Sequence, residues 1–223
     1  MDKIRYIFFL LLAHLFSQSI MAKTQTYLLN KLLEDAIHNT GDHALQLAKS
    51  TLKKRAQENI SQQDRKAARD ANEKGLAALE IDDLKTAVRW FEEGVKTNSG
   101  DVEILNNLGY VYLLQNRPEA ADRLREALML DPRRVNAWVN LGQYFAAQNN
   151  IASAAGCFTL GLRFSGHRDK TIAFLQQLPN KFPSPAMSQA IQKTLQQDWL
   201  ILILEERYIK TRDNLEIIRL LSS

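Results

Sequence analysis

Along the middle of the chain, apolar residues recur in a fixed cycle of small and large positions. Counting from Ala68, Val102 and Val135, intervals of 34 and 33 residues, the fourth residue is Ala71, Leu105 and Trp138. The seventh and eighth are Lys74-Gly75, Leu108-Gly109 and Leu141-Gly142, and the eleventh is Ala78, Tyr112 and Phe145. With one residue fewer in the turn of the middle unit, the later positions align too: Ala87, Ala120 and Ala154, then Phe91, Leu124 and Phe158, then Gly94, Ala127 and Gly161. Within a unit the large residues fall at helical intervals on two segments separated by a short polar break, so each unit predicts a helix pair. In the second unit Leu105, Leu108 and Tyr112 form one stripe, and Leu124, Ala127 and Leu128 form the other. The breaks Asp82-Asp83, Asn116-Arg117-Pro118 and Asn149-Asn150 carry helix-start chemistry, with Pro118 expected at the first helical position, where a missing N–H costs nothing. Small residues at matched positions predict close approach of two helix backbones. A pair of this size cannot bury its apolar face alone, so neighbouring pairs must stack.

The third unit's Trp138-x2-Leu141-Gly142-x2-Phe145, its Ala154 and its Phe158 strongly resemble the tetratricopeptide repeat, and Pro132 closes the second unit where that family ends its helix. The first unit departs at its start, with Ala71 for the aromatic and Lys74 for the leucine. The resemblance covers about 100 of 223 residues. It implies an all-α, right-handed solenoid of three helix pairs (68–101, 102–134 and 135–168) whose concave face binds protein. It also implies which side chains line that groove: Asn72 in the first unit, Glu103, Asn106, Asn107 and Tyr110 in the second, and Asn136, Val139, Asn140 and Gln143 in the third. An asparagine amide offers both a donor and an acceptor, so a row of them suits the backbone of an extended peptide. Members of the family that capture a C-terminal carboxylate use lysines and an arginine. Of the five matching places here, Asn107 agrees, while the others hold Asn72, Leu76, Asn136 and Asn140, so no cation is left for a carboxylate.

The ends of the chain read differently. Lys3 and Arg5 precede an apolar run from Ile7 to Leu15 and a small-residue exit at Ala22, the pattern of a cleaved secretory signal over residues 1–22. That run is shorter than the roughly 20 residues a membrane span needs, and no cysteine stands near the cleavage region to carry a lipid. The expected place is the periplasm, with an uncleaved inner-membrane anchor as the alternative. Residues 23–67 form a helical extension carrying eight bases and five acids, against eight acids and five bases in the first repeat. That pairing reads either as solvated helix faces or as a basic extension folded back on the acidic repeat. Residues 169–223 read as capping helices: one from Thr171 to Leu178 ended by Pro179, one resuming near Ala186, and a last one through Trp199, Leu200, Ile201, Leu204 and Tyr208. The apolar residues of that last helix exceed what a cap needs and mark it as a candidate interface, including for a homodimer.

Composition adds mostly exclusions. A lone cysteine, Cys157, cannot form an intrachain disulfide, and the net charge of +4 comes without clustered aromatics among the bases, which argues against a nucleic-acid partner. The histidines are scattered, with no His-Glu-x-x-His, and neither a phosphate-binding loop nor Gly-x-Ser-x-Gly is present. No metal, cofactor or catalytic residue is nominated. The sequence therefore reads as an exported non-catalytic scaffold for a protein or peptide partner, with a structural homodimer or fixed envelope subunit as the alternative.

Overall fold

The computed structural model describes residues 26–27, 29–36 and 60–197. The described chain is all helical. Three antiparallel pairs come first: α1 (Gln62–Glu80) with α2 (Leu84–Thr97), α3 (Val102–Leu114) with α4 (Glu119–Leu130), and α5 (Val135–Ala147) with α6 (Ile151–Phe164). α7 (Arg168–Lys181) and a helical run over 185–197 follow.

Each pair turns the same way, because each first helix stops on the same device. Asp82, Asn116 and Asn149 sit at φ 60°, 55° and 57°, the left-handed region that short Asx side chains tolerate better than most. The residue after each one donates its N–H back into the last turn, Asp83 to Ala78 O at 2.9 Å, Arg117 to Tyr112 O at 2.9 Å and Asn150 to Phe145 O at 2.8 Å. This pattern satisfies carbonyls that a helix end otherwise leaves bare. Asp83 and Asn150 then cap the next helix, accepting from Thr86 N at 3.0 Å and Ser153 N at 3.1 Å. Pro118 stands one place earlier than expected, as the residue before α4, and caps nothing with its side chain.

Stacking follows from the small residues. A methyl placed on Gly75, Gly109 or Gly142 would meet Phe91, Leu124 or Phe158 at under 3 Å, so each first helix lies directly against the large residue of its partner. Three apolar clusters run along the solenoid. Phe91, Ile104 and Leu108 fill the joint between the first two units. Leu105, Leu124, Leu128, Trp138 and Leu141 fill the next. Phe158, Leu162, Leu175, Leu178 and Met187 fill the third. Trp138 explains the proline that precedes it: its buried indole N–H donates to Pro132 O at 2.8 Å.

Three expectations need revision. α1 begins at Gln62, six residues before the expected unit, because Ser61 caps it through Asp64 N at 3.0 Å. α7 runs from Arg168 to Lys181, past Pro179, since only one backbone N–H is lost near the end and Phe182 N still reaches Leu178 O at 2.8 Å. The extension does not fold back on the first repeat where it is described: Leu29, Leu32 and Ala36 join the apolar cluster of the second and third units. The apolar side chains decide that placement, and the basic residues Lys49, Lys53, Lys54 and Arg55 lie outside the described residues.

The capping helices also keep the repeat's spacing although they lose its residues. α3, α5 and α7 start 33 residues apart. Counting from Arg168, the eighth, eleventh, twentieth, twenty-fourth and twenty-seventh places are Leu175, Leu178, Met187, Ile191 and Thr194, and all five are buried. Thr194 Oγ1 accounts for its polar atom by donating to Ala155 O, 3.1 Å away on α6. Phe182 occupies the place of Asn149, and being unsuited to the left-handed conformation it leaves this last pair with a different turn.

Candidate functional site

The polar residues expected in the groove come together on α1, α3 and α5, but they bond chiefly to one another. Gln143 Nε2 donates to Asn140 Oδ1 at 3.2 Å. Asn140 Nδ2 donates to Asn106 Oδ1 at 3.1 Å, and Asn106 Nδ2 to Asn107 Oδ1 at 3.3 Å. Asn107 Nδ2 then donates to Asn72 Oδ1 at 3.0 Å, and Asn72 Nδ2 reaches Glu103 Oε1 at 3.5 Å. Each asparagine gives one bond and takes one, and Gln143 only gives, so the chain runs in a single direction across three helices. Stacked repeats produce it: Asn72 with Asn107 and Asn106 with Asn140 are separated by 35 and 34 residues, one repeat plus one place, so the fifth residue of one unit meets the sixth of the next.

This arrangement changes what each residue can offer a partner. Asn72, Asn106, Asn140 and Gln143 are buried, at 9%, 4%, 9% and 4% exposure. Burial of amides is tolerable only because they satisfy each other. The one loose end is Gln143 Oε1, a buried acceptor with no hydrogen bond. Asn107 is half-buried within the chain, Tyr110 is half-buried and Asn136 is exposed, and neither of the latter two makes a hydrogen bond among the described residues. The reachable part of the groove is therefore Asn107, Tyr110, Asn136 and the exposed Glu103.

Arg134 is a residue the sequence reading passed over. It stands immediately before α5 and brings Nη2 to 3.8 Å from Glu103 Oε2, while its buried Nε has no partner. The groove thus holds a cation after all, engaged with the carboxylate that also terminates the amide chain. The signal available was a base directly preceding a groove-lining helix, which only the fold relates to Glu103 on another unit.

A second polar cluster ties the first two units together on their outer side. Tyr112 Oη donates to Glu92 Oε1 at 2.5 Å, and the Arg117 guanidinium lies 3.8 Å over the Tyr112 ring while bonding Glu119 at 2.8 Å. Burial and the neighbouring Glu92 carboxylate push the Tyr112 phenol up to about 12. Burial alone drives the Cys157 thiol far above its ordinary range, so it is protonated and inert in place. Among the described residues no group of His, Cys, Asp and Glu is placed to hold a metal, and no helix is long and apolar enough to cross a membrane.

The candidate interface residues Trp199, Leu200, Ile201, Leu204 and Tyr208 lie outside the described residues. The helices just before them leave an open apolar cleft of about 460 Å³ between α7 and 185–197, floored by Pro179, Ile191 and Leu195.

Helix pairs of this length, stacked at a 33- to 34-residue period with a glycine of each first helix against Phe91, Leu124 or Phe158 of the second, define a tetratricopeptide-repeat solenoid. The class is an architecture of protein–protein contact. No family profile matches the chain. It is 32% identical over 114 residues to the cell division cycle protein 16 homologs of human and mouse, a stretch covering 46% of this chain. The chain spans only 18% of the length of those relatives. Among solved structures it is similar to an Arabidopsis OM64 TPR domain (21% identity, TM-score 0.47, 53% of this chain and 99% of that one). It is similar also to the TPR2B domain of yeast Sti1 in a pHsp70 complex (21%, 0.45, 59% and 98%) and to MamA (15%, 0.46, 72% and 90%).

Proposed function

We propose that this chain is an exported, non-catalytic scaffold that holds a protein or an extended peptide against its concave face while an envelope, secretion or pilus-type complex is assembled. The observation that carries the reading is the amide chain. Five amides locked by mutual hydrogen bonds make a rigid polar floor, so Tyr110, Asn136 and Glu103 above it are presented without an ordering cost at binding. Uncharged contacts dominate that face, so capture should tolerate salt.

The experiment is crosslinked capture from the envelope fraction with Tyr110→Ala combined with Asn136→Ala. Asn140 is unsuitable as a probe because it is a buried link of the floor. Loss of two neutral contacts, each about 0.5–1.5 kcal/mol, weakens capture roughly five- to a hundredfold. Unchanged capture, with loss of capture in Leu200→Asp combined with Leu204→Asp, would defeat the groove reading. It would favour a structural homodimer or fixed subunit working through the C-terminal segment, a reading supported by the apolar cleft at the end of the described chain. Export is checked by mass spectrometry of the native protein, with Lys23 as the expected N-terminus.

A further inference from the structure

α6 differs from its counterparts on the side turned away from the groove. At matched outward places α2 carries Arg89, Trp90 and Glu93, and α4 carries Asp122, Arg123 and Glu126. α6 carries Gly156, Cys157 and Leu160 there, all buried, so Ala154 through Leu162 is an unbroken buried stretch. A helix that is apolar all round requires cover on every side. The helical run over 185–197 covers one side through Thr194. The chain's own segment 26–36 supplies the other cover: Leu29, Leu32 and Ala36 fall on one helical face and are buried in the same cluster as Leu124, Leu128, Cys157 and Leu160. Lys31 pairs with the exposed Glu34 at 3.3 Å and with the buried Asp35 at 3.2 Å, and Thr26 Oγ1 donates to Met129 Sδ on α4 at 3.4 Å.

We propose that the furrow between α4 and α6 is a second docking surface, built for one amphipathic helix of the pattern Leu-x-x-Leu-x-x-x-Ala. This chain's own segment occupies it in cis and can leave it without unfolding of the repeats. Leu29, Leu32 and Ala36, with the half-buried Leu33, anchor the segment, whereas three apolar clusters join the repeats beneath along four helix pairs. The furrow therefore opens at less cost than the solenoid, and a partner helix of the same pattern fits it once open.

Cys157, the chain's single thiol, is buried in the same cluster as Leu29, Leu32 and Ala36 and reports on this cover. Labelling of the full mature chain with 5,5′-dithiobis(2-nitrobenzoate) should be at least tenfold faster in Leu29→Asp combined with Leu32→Asp, with the helical circular dichroism of the repeats retained. A synthetic peptide of residues 24–38 should restore slow labelling, and the same peptide with both aspartates should not. An unchanged rate, a peptide without effect, or loss of repeat helicity in the variant overturns the proposal. The wild-type chain gives a check independent of the variant's folding. Release of the segment predicts labelling at low urea that is nearly flat with denaturant, whereas labelling that follows global unfolding throughout refutes it. A dimer by light scattering whose crosslinks join segment 26–36 of one copy to α4 of another overturns the cis assignment.

Discussion

Replacing Gly142 with alanine separates two opposing effects whose sizes the structure sets. On an open helix surface the exchange stabilises by up to about 1 kcal/mol, because alanine is the better helix former. At Gly142 the added methyl carbon would lie 2.5 Å from Phe158 Cε1 and 2.7 Å from Cδ1. The Phe158 ring is fully buried and packs among Leu162, Leu175 and Ile191, so it has nowhere to swing. α5 and α6 must then part by a fraction of an ångström, and overpacking of this kind costs about 1–3 kcal/mol. The net is a loss of about 1–2 kcal/mol, or roughly 2–8 °C in melting temperature for a chain of this size. Urea and thermal melts followed by circular dichroism measure it. Gly166→Ala is the control, since nothing lies within 4 Å of a methyl there, and it should be neutral or slightly stabilising. Phe158→Leu completes the test: it should cost less in the alanine background than alone, with a coupling of about 0.5–3 kcal/mol. A stabilised Gly142→Ala protein, or zero coupling to Phe158, would refute the close-contact argument and the register built on it.

Other substitutions probe the polar networks. Asn140→Ala leaves Asn106 Oδ1 and Gln143 Nε2 buried without their bonds and should destabilise by about 2–4 kcal/mol, whereas the exposed Asn136→Ala should fall within about 0.5 kcal/mol of wild type; chemical denaturation distinguishes them. Tyr112 keeps its proton to about 12 when folded and loses it near 10 when unfolded, so the folded state holds more protons between those values. Stability should therefore fall as pH rises from about 10 to about 12, and Tyr112→Phe should flatten that slope in melts across the window while losing its bond to Glu92 at every lower pH.

The three helix pairs were legible in the sequence because everything that makes them is local. Helical spacing, an Asx residue at each turn and a glycine facing a large apolar residue fifteen or sixteen places later all fall within one unit, and repetition multiplies the signal. The last pair was legible only as helices: its buried places fall on the same count from Arg168, but Leu175 stands for glycine and Thr194 for a small residue, so identity hid what spacing kept. The sequence reading assigns the groove amides to a partner's backbone, whereas in the structure Asn72, Asn106, Asn107, Asn140 and Gln143 bond one another. Which amide bonds which depends on Asn72 meeting Asn107 and Asn106 meeting Asn140 across separate helices, and no periodicity in the chain states whether a polar side chain faces solvent or another amide. Arg134 against Glu103 and the burial of Leu29, Leu32 and Ala36 in the core of the second and third units belong to the same class. The repeating unit is written in the order of residues alone, since backbone geometry repeats every 3.6 residues and the chain sets its apolar faces in that period. Which polar groups remain for a partner follows instead from contacts between residues far apart in the chain, where desolvation makes buried amides satisfy one another.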